Sequence, residues 1–371
     1  MIRSAALTLV ALLSWLSASP ARAQVLPRVH YIASYTDNLF RSHDPAAAWV
    51  TNAYVELDYA GGPDLSLYYT GDASLVSERD ELFNQTHRVG LSHFAERPVL
   101  GLLNAGVELS LRLDQPLYGY RDYLDLETYA TARRYLDEAT LAQAGCSVRL
   151  RDYTNAGAYS YLAQTLFGQA SHFLPSQTTL IGRASIGVKT YLKATPNAAS
   201  SEARSGRDRS LVQLHWRLKL AQGLGADTGL QLIYQRRHNL AGQSRFADIS
   251  VYDTDDELFD DHYSYSGDLA RATLKHLAPA NSMLTISLAT ERRDFAGRPA
   301  LDLQGFTIPG DGRSVRRNTL KIAAERSFRP GEKSTREVAL RLEWLVGDVD
   351  SNDPYYDAAY QVVSAGVQVD F

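Results

Sequence analysis

From about residue 28 to the last residue, apolar and polar positions alternate with a period of two. Val212, Leu214, Trp216, Leu218 and Leu220 fall on one face of such a segment, and Gln213, His215, Arg217 and Lys219 on the other. Successive side chains of a strand point to opposite faces, so this is the pattern of a strand held between an apolar and an aqueous phase. Leu103, Ala105, Val107, Leu109, Leu111 and Leu113 alternate with Asn104, Gly106, Glu108, Ser110 and Arg112. Val338, Leu340, Leu342, Trp344 and Val346 do so late in the chain.

About sixteen segments of this kind are predicted, near 28–36, 47–60, 64–76, 84–94, 99–113, 122–133, 138–153, 157–170, 176–193, 209–221, 226–240, 262–276, 279–294, 313–328, 334–349 and 356–371. Many run past ten residues, whereas strands of a soluble sandwich are typically about 5–6 long and a tilted strand crosses a bilayer in about 9–11. Short connections such as 95–97 and 223–226 alternate with longer polar ones at 37–46, 194–208, 241–261 and 295–312. No motif recurs at constant spacing, which argues against a propeller or β-helix. The expected fold is all-β: a transmembrane antiparallel up-and-down barrel with short periplasmic turns and long extracellular loops. The alternation weakens around Asn155-Ala156-Gly157, so 122–175 is the region where the count could fall to fourteen.

Residues 1–23 read as a secretory signal peptide. Arg3 precedes an apolar stretch over 5–16, and Ala21-Arg22-Ala23 forms a small-x-small cleavage pattern. That leaves 24–371 as one barrel domain. No run of about 18 apolar residues occurs, which removes a helical transporter. Lys and Arg total 38 against 42 Asp and Glu, so the chain lacks the basic excess of a nucleic-acid binder. The single cysteine, Cys146, falls on the apolar parity and forms no internal disulfide.

A sheet in hydrocarbon must close, because each unpaired backbone group costs several kcal/mol there. The C-terminus supplies a suitable last strand, with Val363, Ala365, Val367, Val369 and Phe371 on its apolar face. With Gly366 and the terminal Phe371 in place, and Val369 where an aromatic is frequent, this segment resembles the C-terminal assembly signal of Gram-negative outer-membrane barrels. The resemblance implies a cell outer-membrane location and recognition by the barrel-assembly machinery. The stretches Tyr35-Thr36-Asp37-Asn38-Leu39-Phe40-Arg41 and Ser351-Asn352-Asp353-Pro354-Tyr355-Tyr356 look like segments of proteobacterial barrels, some of them fused to periplasmic modules of secretion systems. Trp49, Tyr59, Tyr153, Tyr159, Tyr161 and Tyr355 lie near strand ends, where an aromatic belt is expected; the blander reading is that some of these tyrosines fill the lumen.

A barrel of sixteen strands is too wide for side chains to fill. Parity then turns Arg112, Arg149, Arg151, Arg183, Lys189, His215, Arg217, Lys219, Arg271 and Lys275 inward on the middle strands. Glu56, Asp58, Asp72, Glu325, Glu343 and Asp370 point inward nearer the termini, which adjoin on closure. Opposed walls of opposite charge would orient polar solutes. The plainer alternative is a solvated wall of paired charges.

The loop 241–261 holds Asp248, Asp253, Asp255, Asp256, Glu257, Asp260 and Asp261 against Arg245. Lacking the glycine turn and terminal glutamate of an EF-hand, it reads as a solvated loop rather than a metal site. The glycine-rich loop 295–312 either folds inward as a constriction or stays outside. For lipid hydrolysis the local candidates are His87, His93 and Ser92, but Ser92 has the opposite parity to both histidines, and no catalytic motif accompanies them. The expectation is therefore a channel for small polar or charged solutes in the outer membrane, not an enzyme, without cofactor or metal and without nucleic acid. The alternative is a plugged barrel serving as a surface, secretion or export component. A homo-oligomer or a periplasmic partner is compatible with either.

Overall fold

The computed structural model describes residues 24–60, 62, 64–193, 209–245, 257–329, 331 and 336–371. The expected leader 1–23, the segment 194–208 and the acidic residues Asp248, Asp253, Asp255 and Asp256 lie outside the described residues.

Sixteen strands form one closed antiparallel barrel. They are β1 (Gln24–Thr36), β2 (Ala48–Ala60), β3 (Leu65–Val76), β4 (Asn84–Arg97), β5 (Gly101–Asp114), β6 (Tyr123–Tyr135), β7 (Thr140–Tyr153) and β8 (Tyr161–Leu174). They continue with β9 (Thr178–Tyr191), β10 (Ser210–Gly223), β11 (Thr228–Ala241), β12 (Ser266–Ala278), β13 (Ser282–Leu301), β14 (Thr307–Phe328), β15 (Glu337–Ser351) and β16 (Ala358–Asp370). Each strand pairs with its neighbours in sequence, and β1 pairs with β16. The region 122–175 resolves into β6, β7 and β8, with a short 3-10 turn over Gly157–Tyr159, so the count is sixteen and not fourteen. Among the described residues no helix is long and apolar enough to cross a membrane.

Closure satisfies the backbone where an open sheet would have had two bare edges. The seam runs from Arg28 opposite Asp370 to Thr36 opposite Val362. Across it Arg28 reaches Asp370 at 2.8 Å and Ser34 Oγ meets Ser364 Oγ at 2.8 Å, while on its other side Arg28 pairs with Glu56 of β2 at 2.8 Å. The terminal Phe371 is tied down by its N–H, which donates to the Pro27 carbonyl at 3.1 Å.

Directly opposed residues of paired strands share a face, so the register fixes which residues look outward. One outward row runs Leu220, Leu232, Ala272, Leu288, Leu320, Val346. Exposure of Leu109, Leu126, Leu218, Leu342 and Val363 on this surface is the mark of a wall that meets lipid. Cys146 also lies on the outward face, opposite Leu166. The same register sets His87 and His93 outward and Ser92 inward. His87 Nδ1 is 2.9 Å from the Tyr69 hydroxyl and His93 Nδ1 is 2.9 Å from the Asp64 carbonyl.

Buried side chains gather at the long-loop rim rather than at the centre. Tyr153, Tyr161, Tyr191, Leu211, Leu258 and Tyr263 form one cluster, and Tyr265, Phe295, Val315, Val349 and Tyr360 another. This corrects the belt assignment for Tyr153 and Tyr161. Both face inward and are almost wholly buried, because a loop segment packs onto them from inside the barrel. Trp49, in contrast, is 56% exposed and lies beside Tyr35 on the outer wall, the two rings tilted at 58° with centroids 5.4 Å apart.

Candidate functional site

The described C-terminal end of the acidic loop does not remain in solvent. This end, a single helical turn α1 (Glu257–Asp260) followed by a 3-10 turn over His262–Ser264, is folded into the lumen as a strap. Its partners are inward-facing residues of β7, β9, β10, β11, β13 and β14, which places it inside the wall rather than above it. The expectation of a solvated loop is therefore overturned for Glu257, Asp260 and Asp261. The physical reason is charge: Glu257 and Asp261 meet Arg151 and Lys189, which sequence parity had turned inward, and Asp260 meets three arginines of the β13–β14 hairpin.

At one end the strap is bound to β7 and β9. Glu257 pairs with Arg151 at 2.5 Å and Lys189 at 3.0 Å, and Asp261 pairs with Lys189 at 2.6 Å. Lys189 Nζ also sits 3.9 Å from the centre of the Tyr161 ring, and the Arg151 guanidinium lies 4.0 Å over Tyr123. At the other end Asp260 receives Arg313 at 2.9 Å, Arg293 at 3.2 Å and Arg298 at 3.3 Å, all from the β13–β14 hairpin. Two buried ion clusters thus hold the segment across the sector of the mouth between β7 and β14.

Hydrogen bonds from β10 and β11 fix the 3-10 turn that follows. Gln213 on β10 donates to the His262 and Tyr265 carbonyls, and Asn239 donates to the Tyr263 carbonyl at 3.1 Å. Arg237 donates to the Tyr265 hydroxyl at 2.7 Å. Asp261 caps its own turn, accepting from the Tyr263 N–H at 3.0 Å. Gly187 on β9 makes room for Tyr263: a Cβ there would press on the Tyr263 hydroxyl and lie 3.0 Å from its Cζ. A cavity of about 170 Å³ remains beneath the strap, lined by Thr165, Ser185, Gln213, His215, Arg237 and Tyr263 among others.

Burial pushes the Glu257 carboxyl up, but the adjacent Lys189 and Arg151 charges outweigh it and hold Glu257 well below the usual carboxylate range. At the far rim burial raises Asp353 in spite of Arg313, and drives Tyr356 up to about 12.

The loop 295–312 follows neither of its two expected courses as a loop. β13 and β14 run on through it as a hairpin to 302–306, and Arg298 reaches from that hairpin to the Phe259 carbonyl at 2.9 Å. Phe295 and Ala300 of the hairpin are buried.

All the charged residues singled out by parity lie on the inward face in the observed register. Several are engaged with neighbours. Arg112 pairs with Asp114 at 2.8 Å, Arg149 with Glu127 at 2.6 Å and Arg151 with Asp125 at 2.5 Å. Glu343 pairs with Lys321 and Arg341, and Glu325 with Arg341 at 3.9 Å. Glu56 and Asp370 share Arg28. Arg183, Arg217, Lys219, Arg271 and Lys275, and likewise Asp58 and Asp72, make no ion pair among the described residues. Arg183 and Arg217 stand directly opposite each other, with Arg183 lying 3.9 Å over the Phe167 ring.

The strap's anchors Arg293, Arg298 and Arg313 were not anticipated, nor was Tyr263. The available signal was an acidic loop with one arginine beside strands carrying inward cations. Glu108, whose carboxylate accepts from Tyr68 at 2.6 Å and Ser110 at 3.2 Å, extends the acidic wall beyond the residues named from sequence.

Solved structures share this fold. The chain is similar to OccAB1 of Acinetobacter baumannii, at 9% identity and a TM-score of 0.55, over 94% of this chain and 97% of that one. It is also similar to OccD3 (OpdP) of Pseudomonas aeruginosa, at 10% identity and a TM-score of 0.50, covering 94% and 91% of the two chains. The outer membrane protein opdK from Pseudomonas aeruginosa matches at 10% identity and a TM-score of 0.50, covering 94% and 99%. No protein-family model matches the sequence, and neither does any curated protein.

Proposed function

We propose that the chain is an outer-membrane channel of a Gram-negative bacterium that passes small polar or charged solutes. The observation that carries this reading is a pair of opposed lumen walls, one basic and one carrying acidic groups with Arg88 and Arg112 set among them. Arg183, Arg217, Lys219, Arg271 and Lys275 stand on β9 to β12, and Asp58 and Asp72, joined by Glu108, on β2 to β5, on the other side of the ring. A sixteen-strand barrel leaves a lumen that side chains alone do not fill, and the two walls set a transverse field across the water in it. Such a field favours dipolar solutes and anions able to track the basic wall while the strap narrows the mouth. The fold shared with Occ-type outer-membrane porins supports the reading. In this reading Arg112, Arg149, Arg151 and Lys189 act mainly through the pairs they make, as supports of the wall and strap. Gly366, Val369 and Phe371 serve as the assembly signal, and residues 1–23 as the export leader.

The strap also favours a second reading, a barrel closed by its own loop and acting as a surface or export component. Planar-bilayer recording of refolded protein separates the two. Stepwise conductance supports the channel; silence across a range of voltages, together with a partner that co-purifies with the closed barrel, supports the second.

A further inference from the structure

On the outer wall of β11 to β15 a hollow of about 630 Å³ opens where Ala270 and Ala272 of β12 fall between the larger Leu232, Leu288 and Leu320. The register turns those residues outward, so the hollow faces lipid and not the lumen. One residue pair above its upper edge, about 7 Å along the strands, Arg292 and Arg316 lie directly opposite each other, both outward and both exposed.

Two like charges opposite each other across strands repel. Arg292 pairs with Asp294 at 3.1 Å, while the Arg316 guanidinium makes no side-chain hydrogen bond or ion pair among the described residues, although Asp350 is its cross-strand neighbour on β15. An anion set between the two guanidinium groups removes the repulsion through charge-assisted, bidentate contacts. Above an apolar hollow on a membrane-facing wall, the anion that satisfies both features belongs to an amphiphile.

We propose that this patch is a binding site for a phosphorylated membrane lipid, with the phosphate between Arg292 and Arg316 and an acyl chain laid in the hollow over Ala270 and Ala272. The site is independent of whether the lumen conducts. Its acidic neighbours Asp294 and Asp350 tune it without filling it, since neither bridges both arginines.

Native mass spectrometry of the delipidated, folded barrel titrated with phosphatidylglycerol, with diacylglycerol of the same chains, and with inorganic phosphate tests the idea. One equivalent of phosphatidylglycerol should remain bound where diacylglycerol and free phosphate do not, and Arg292→Gln or Arg316→Gln should each weaken retention about tenfold. Ala272→Leu, which fills the hollow and keeps both arginines, should weaken it as well. Heat-modifiable migration on gels confirms that each variant is a closed barrel. Equal retention of phosphatidylglycerol and diacylglycerol, phosphate binding without the chain, or indifference to all three substitutions would each overturn the proposal.

Discussion

Lys189 Nζ lies 2.6 Å from Asp261 Oδ2, and both side chains are almost excluded from water, joining the wall strand β9 to a loop 72 residues further along the chain. The ammonium also serves Glu257, so one wall residue neutralises two strap carboxylates. A buried pair of this kind is worth little net stability over an apolar replacement, but removing one partner leaves an uncompensated charge.

Lys189→Met should therefore release the strap. Among the described residues this leaves Glu257 with Arg151 and Asp261 without a lysine or arginine, at a cost of about 3–5 kcal/mol locally, and the barrel, held by its backbone ladder, should remain heat-modifiable. Single-channel conductance should rise above wild type. An unchanged conductance in a correctly folded variant would remove the strap from any role in limiting flow.

Gly187→Ala should have the same sign and a smaller size. The added methyl meets Tyr263, at a cost of about 1–3 kcal/mol for overpacking, and shifts the strap without touching its ion pairs. A noisier, modestly larger conductance than wild type, below that of Lys189→Met, is the expected record.

The depressed Glu257 carboxyl fixes the direction of the pH response. A group whose folded value lies below its unfolded one, about 4.3 for Glu, adds stability that is fully present above the unfolded value and lost as pH falls toward the folded one. Conductance should hold constant from neutral pH down to about 5 and rise only below about 4. Glu257→Gln should already carry the released strap at neutral pH and lose that part of the acid dependence.

Ion selectivity should follow the two walls. Removing Arg183 or Arg217 as Gln should shift the reversal potential in a salt gradient toward cations, and Asp72→Asn should shift it toward anions. A hydrated lumen limits each change to about 0.5–1 kcal/mol, a two- to fivefold change in permeability ratio. The shifts should shrink as ionic strength increases.

The outer face is tested at Val363, which lies outward on β16 opposite Tyr35 and Trp344. Val363→Arg places a charge in lipid at a cost of about 2–4 kcal/mol near the midplane, and denaturant unfolding from liposomes should register it. Arg28→Gln at the seam should cost less than about 1 kcal/mol, because its pairs with Glu56 and Asp370 are solvent-accessible.

The alternation of Val212 to Leu220, repeated along the chain, was enough to predict about sixteen strands in a closed antiparallel order and the inward sense of the charged residues named from it, while the choice of sixteen over fourteen was left to the fold. The reason is local: period two is a property of the strand itself, and a bilayer outside water leaves only one way to arrange it. Strand ends were less legible. β13 and β14 run on to Leu301 and from Thr307 because beyond the bilayer a hairpin can lengthen without any hydrophobic signature. Parity could not separate Tyr161 in a buried cluster from a tyrosine at the interface, since both lie near strand ends. The strap was decided by tertiary structure alone. Glu257 finds Arg151 across 106 residues, and Asp260 draws in arginines from a different hairpin. Whether a carboxylate remains hydrated or is buried depends on the cations that closure of the ring brings within reach, and that proximity is absent from the linear chain.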